Sequence, residues 1–229
     1  MPASKHWWRL PAGLVALSAV PVVAGLVRLV RLAVGETVTV DNARFFASPL
    51  PVVVHVISAA VFCVLGAFQF VPRLREGRGQ WHRGAGRWLV SFGLAAALSG
   101  LWMTMAYDLP VGSDKNVVIF HRVVGLLQIV RLFVGAGMTV SLCLAVAAIR
   151  ARAFARHGAW MTRAYALGLG AGTQALINLS WMLIVGNPQG MVRVLLMTAG
   201  WLVNLAVAEG VIHRRAIGAK AVDLAHVTG

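Results

Sequence analysis

The residues best equipped for chemistry in this chain are its histidines, seven among 229 residues. Four of them stand in order, each near the start of a long apolar stretch: His55, His82, His121 and His157. A neutral imidazole ligates haem iron and other transition metals. A helix N-terminus disfavours the protonated ring by about 0.3–1 kcal/mol, so these positions favour the ligating form. One turn further on, on the same helical face, comes Gly86 after His82, Gly125 after His121 and Ala59 after His55; Met161 after His157 departs from the pattern. Small residues at that spacing leave room for a flat macrocycle. Arg83 and Arg122 directly follow their histidines and repeat the pattern H-R-x-x-G at 82–86 and 121–125, with Arg87 and Arg163 nearby. Guanidinium groups in such places pair with propionates. The face below His82 continues through Gly93 and Gly100, which predicts a groove. The pattern points to two b-type haems, one held by His55 and His121 and one by His82 and His157, with Arg83, Arg122, Gly86 and Gly125 framing them.

The elements that carry these residues follow from composition. Apolar residues make up 59% of the chain and charged residues 12%, about half the charged share of a soluble domain. Lipid solvates that much apolar surface, whereas a soluble core of this size does not. Six stretches reach the length needed to cross a bilayer: 11–34, 51–71, 84–107, 117–149, 159–186 and 191–212. Backbone groups in lipid must be satisfied within their own segment, and no alternation of period two runs through the chain, so the expected fold is all-α, one six-helix bundle. Residues 213–229 are expected to form a short tail. Gly168, Gly170 and Gly172 look like part of a dinucleotide fingerprint, but they lie inside an apolar run with no strand before them. They are expected to let helices approach closely.

Most of the Lys and Arg residues behind the net charge of +14 cluster in short segments between the apolar runs. Lys5 and Arg9, then Arg73 to Arg87, then Arg150 to Arg156, then Arg214, Arg215 and Lys220 all fall on one side after six crossings, while the other side holds Glu36, Asp41, Arg44, Asp108, Asp114 and Lys115. The positive-inside rule then puts both termini in the cytoplasm, in a bacterial inner membrane. His55 and His121 become the outer pair and His82 and His157 the inner one. Their layers lie about 20 residues apart along the third helix, roughly 30 Å. No soluble domain offers a nucleic-acid face. Cys63 and Cys143 both lie in apolar runs and imply no disulfide.

The stretches Q-F-V-P-R (69–73), W-H-R-G-A-G-R (81–87) and H-G-A-W-M-T-R-A-Y-A-L (157–167) resemble a family of bacterial membrane proteins, domain of unknown function 2306, over about residues 50–185. That resemblance implies a polytopic membrane protein and no activity. The order of the four histidines also resembles the cytochrome b561 type, in which helices 2 and 4 ligate one haem and helices 3 and 5 the other. His55 with His121 and His82 with His157 match those pairs, although the interval from His55 to His82 is short and no ascorbate site is apparent. This resemblance implies a transmembrane oxidoreductase that carries electrons from a quinol or a small anionic reductant.

Two other readings stand beside it. Arg131 and Gln128 lie mid-way along the fourth helix and Asn178 in the fifth, a polar set that suits a transporter or channel for a small solute. The third reading is a non-catalytic subunit or assembly factor, in a homo-oligomer or with a membrane partner, its glycine-rich helices serving as packing surfaces.

Overall fold

A computed structural model describes residues 7–71, 79–107, 116–119 and 122–228. The first helix, α1, runs Arg9–Ala33. A five-residue helix α2, Ala43–Ala47, precedes α3, Pro49–Phe68, whose first turn accepts proline because its N–H would be unpaired anyway. The longer α4 is Gly79–Ala106 and α5 is Leu126–Arg150. The next crossing, Phe154–Ile184, is interrupted at Leu169 into α6, Phe154–Gly168, and α7, Gly170–Ile184. The last helix, α8, runs Gly190–Thr228, so the expected tail continues the helix instead of leaving it at residue 212. Among the described residues, six helical spans are long and apolar enough to cross a membrane, as the sequence predicts.

One segment differs in kind. Residues expected to open the fourth spanning helix form an antiparallel hairpin instead, β1 Asn116–Ile119 paired with β2 Arg122–Gly125. Val117, Val118, Ile119, Val123 and Val124 are β-branched and lose rotamer freedom in a helix. Gly125 is extended at φ −74° and ψ 149°, and the helix begins only at Leu126.

Four elements close a ring: α3 packs on α4, α4 on α5, α5 on α6, and α6 returns to α3. Thus α3 stands across the ring from α5, and α4 across from α6. On the outside, α1 covers α3 and α7, and α8 covers α5, α6 and α7. The ring is centred on Phe62, which is 1% exposed, with Leu142 and Ala164 completely buried beside it. Large apolar side chains such as Leu26, Val30, Phe133 and Leu195 point outward, which is where a bilayer replaces the core as apolar solvent.

The three glycines about the break each have a reason. A Cβ on Gly168 would come within 2.8 Å of the Phe62 ring, one on Gly170 would strike the Trp201 indole, and one on Gly172 would strike the Leu17 carbonyl oxygen. They admit α3, α8 and α1 respectively. Close packing of helices is therefore their role, as expected.

Candidate functional site

A cavity of about 410 Å³ opens inside the ring, in the half of the bundle that carries α2. Its floor is Phe62, whose ring lies between the glycines of two helices: a Cβ on Gly93 would come within 2.7 Å of it and one on Gly168 within 2.8 Å. Tyr165 holds that floor in place, its hydroxyl donating to the Cys63 carbonyl at 2.7 Å. The broken crossing supplies Leu167, Gly168 and Ala171 to the wall, and α8 supplies Trp201.

Polar groups enter from three sides. His55 on α3 lines the cavity with its Nδ1 2.9 Å from the Ala96 carbonyl of α4. A carbonyl only accepts, so Nδ1 carries the proton and Nε2 keeps its lone pair. Ser99 Oγ lies 3.3 Å from the same Nδ1. Arg131 lines the cavity from α5, the helix across the ring from His55. Arg44 on α2 lines the mouth beside Phe45 and Tyr107. Cys63 also lines the wall; its thiol donates to the Gly168 carbonyl at 3.5 Å.

Residues 52–212 match the family model described as a predicted membrane protein, DUF2306. The chain belongs to the DUF2306 family. No curated protein and no solved structure matches it.

The sequence-predicted residues of this DUF2306 protein are dispersed in instructive ways. Of the three described histidines, His55 lines the cavity and His82 and His157 do not. His121 lies outside the described residues, as does the side chain of Arg122. Because Arg122–Gly125 is a strand, the expected helical register that put Gly125 one turn beyond His121 on the same face does not exist. His157 sits in the first turn of α6 and its Nδ1 is 2.9 Å from the Ala145 carbonyl of α5. His82 is half-buried on α4, Arg83 beside it is exposed, and a Cβ on Gly86 would meet nothing.

The groove expected along Gly93 and Gly100 is filled. The Phe62 ring occupies the first position and the His55 ring the second, where a Cβ would come within 3.2 Å of Cε1. The glycine face at Gly93 and Gly100 therefore leaves no room for a flat macrocycle, and the cavity wall across from His55 presents Arg131. Among the described residues no cluster of three or more His, Cys, Asp or Glu side chains forms a metal site.

Of the polar set expected for a transporter, Arg131 lines the cavity while Gln128 and Asn178 do not. Gln128 Nε2 donates to the Thr104 carbonyl at 2.6 Å and so ties α5 to α4. Asn178 Nδ2 donates to the Gln174 carbonyl at 2.8 Å within α7. The residues that sequence reasoning missed are Arg44, Phe45, Tyr107 and Trp201, which stand in a connection or at helix positions that look like interface anchors. A cation beside two aromatic rings, A-R-F-F at 43–46, is the signal that marks the first two.

Proposed function

We propose that this protein binds one small, largely apolar molecule with a polar end inside the membrane, as a transporter-type solute-binding protein. The observation that carries the reading is the cavity beside the α6–α7 junction, where His55, Arg131 and Arg44 line a largely apolar wall. Ligand cavities have this size, about 300–1,000 Å³, and this composition. The charge pattern of the connections supports a cytoplasmic location for both termini, which opens the cavity toward the outside. Reporters placed at Gly77 and Gly112 should then read on opposite sides of a bacterial inner membrane, and readings on one side would overturn the orientation.

Cys63 tests the cavity directly. In a Cys143→Ser background, a small water-soluble thiol reagent should reach Cys63, and Ala97→Phe, which fills the wall, should stop it without unfolding the protein. Cys63 reacting equally in both proteins would overturn the reading.

A second reading, di-haem electron carriage, is favoured by the ring order, which sets α3 across from α5 and α4 across from α6. It is also favoured by the two imidazoles held through Nδ1, an arrangement that leaves the other nitrogen to a metal. A reduced-minus-oxidised spectrum of protein made with ample haem tests it, and absence of an α-band would end it.

A further inference from the structure

Two cations lie against a single aromatic ring that lines the cavity. Arg28 Cζ, from α1, lies 4.3 Å from the Phe45 centroid, and Arg44 Cζ, from α2, lies 4.7 Å from it. Phe45 is itself fixed. Tyr107 packs edge-on against it at 5.6 Å, and the Tyr107 hydroxyl donates to the Ser48 carbonyl at 2.6 Å. Both guanidinium groups therefore lie within 5 Å of the centroid of one ring, each attracted to its π-system.

Like charges gathered in this way repel unless an anion answers them. Elsewhere the chain supplies the anion: Arg31 pairs with Glu36 at 3.5 Å, and Arg163 with Glu209 at 2.6 Å. Among the described residues no carboxylate forms an ion pair with Arg28 or Arg44. Burial pushes the Arg44 pKa below its ordinary value and Arg28 pushes it further, while Asp41 only partly opposes them. Arg44 lines the cavity, so its charge, only partly opposed by Asp41, faces that space.

We propose that Arg28 and Arg44 form an anion-binding mouth for the cavity, taking the carboxylate or phosphate head of an amphipathic molecule whose apolar body lies against Phe62, Met138 and Trp201. The proposal rests on the cavity reading above and adds the charge of the ligand and the residues that hold it. A guanidinium fork matches both heads through paired charged hydrogen bonds. The apolar wall beneath explains why a bare inorganic ion would leave most of the site unused.

The test uses the full-length Cys143→Ser protein in neutral phosphatidylcholine nanodiscs, with N-ethylmaleimide labelling of Cys63 followed by mass. Octanoate should slow labelling about tenfold more than octanol, which has the same body and no charge. Arg28→Gln and Arg44→Gln should each erase that difference, Arg44→Lys should keep part of it, and Arg31→Gln should leave it intact. Should Arg44→Gln fail to fold, Arg28→Gln carries the test alone. Slow labelling in phosphatidylglycerol nanodiscs without octanoate would support the site and assign its anion to a lipid; slowing by inorganic phosphate in neutral nanodiscs would support it and assign a soluble anion. Equal slowing by octanoate and octanol would overturn the anion mouth and leave the cavity standing. Labelling unaffected by every probe would overturn both.

Discussion

The membrane interior of this protein holds polar residues in two regions that treat them differently. Along the seam between α6–α7 and α8, each polar group meets another. Arg163 forms two bonds to Glu209, Nε to Oε1 at 2.6 Å and a terminal nitrogen to Oε2 at 2.8 Å, with its Cζ 4.6 Å from the Trp160 ring. Thr173 donates to Asn204 at 2.7 Å, Asn204 donates to the Ala166 carbonyl at 3.1 Å, and Gln174 donates to the Met197 carbonyl at 2.7 Å. In the cavity half, Arg28 and Arg44 share a ring, no carboxylate among the described residues is paired to them, and His55 keeps one nitrogen for whatever enters. Charge placed in a membrane is costly. The seam offsets that cost internally and so reads as structure, whereas the cavity leaves it to an external partner and so reads as function.

The contrast can be broken by substitution, with the largest effect expected where the two regions touch. Trp201 lines the cavity and also rests against Gly170. Gly170→Val should push the indole out of place and destabilise the protein by about 1–3 kcal/mol through overpacking, measured as SDS-induced unfolding in mixed micelles. Next comes the seam's ion pair. Glu209→Ala strands the Arg163 charge and should cost about 1–3 kcal/mol. The double replacement Arg163→Met with Glu209→Leu should recover most of it, because a matched apolar pair needs no desolvation; a double variant as unstable as the single one would mean that the pair does more than satisfy itself.

Smaller still is Asn204→Leu. An interhelical hydrogen bond in a membrane contributes about 0.6 kcal/mol on average, and a loss of that order in the same assay is expected. At the bottom lies Arg44→Gln, which removes a like-charge neighbour of Arg28 and should leave stability unchanged or slightly raised. A loss comparable to that of Glu209→Ala would place Arg44 with the seam and erase the distinction.

Hydropathy alone determined the number of crossings, since any run of about 20 apolar residues must become a helix in lipid wherever its neighbours lie. It also located the close-packing glycines at 168, 170 and 172, because a missing side chain in an apolar run has few other uses. Local sequence likewise contains the reason for the hairpin, in the β-branched residues about Val118 and Val123, but a hydropathy window counts valine as a membrane residue and cannot separate strand from helix. The histidine pattern was legible as spacing, whereas the groove expected along Gly93 and Gly100 is filled. Helical register shows which residues share a face but not what fills that face. Phe62 comes from another helix to fill Gly93, and His55 turns its own ring into Gly100. The cavity depended wholly on tertiary structure. Its residues come from α2, α3, α4, α5, α6, α7 and α8, and only the ring order of the helices brings Arg44, His55 and Arg131 around one space. Sequence spacing controls proximity within an element; proximity between elements is set by which side chains fit into one another, and here the fit of one phenylalanine between two glycines decided where packing ends and the cavity begins.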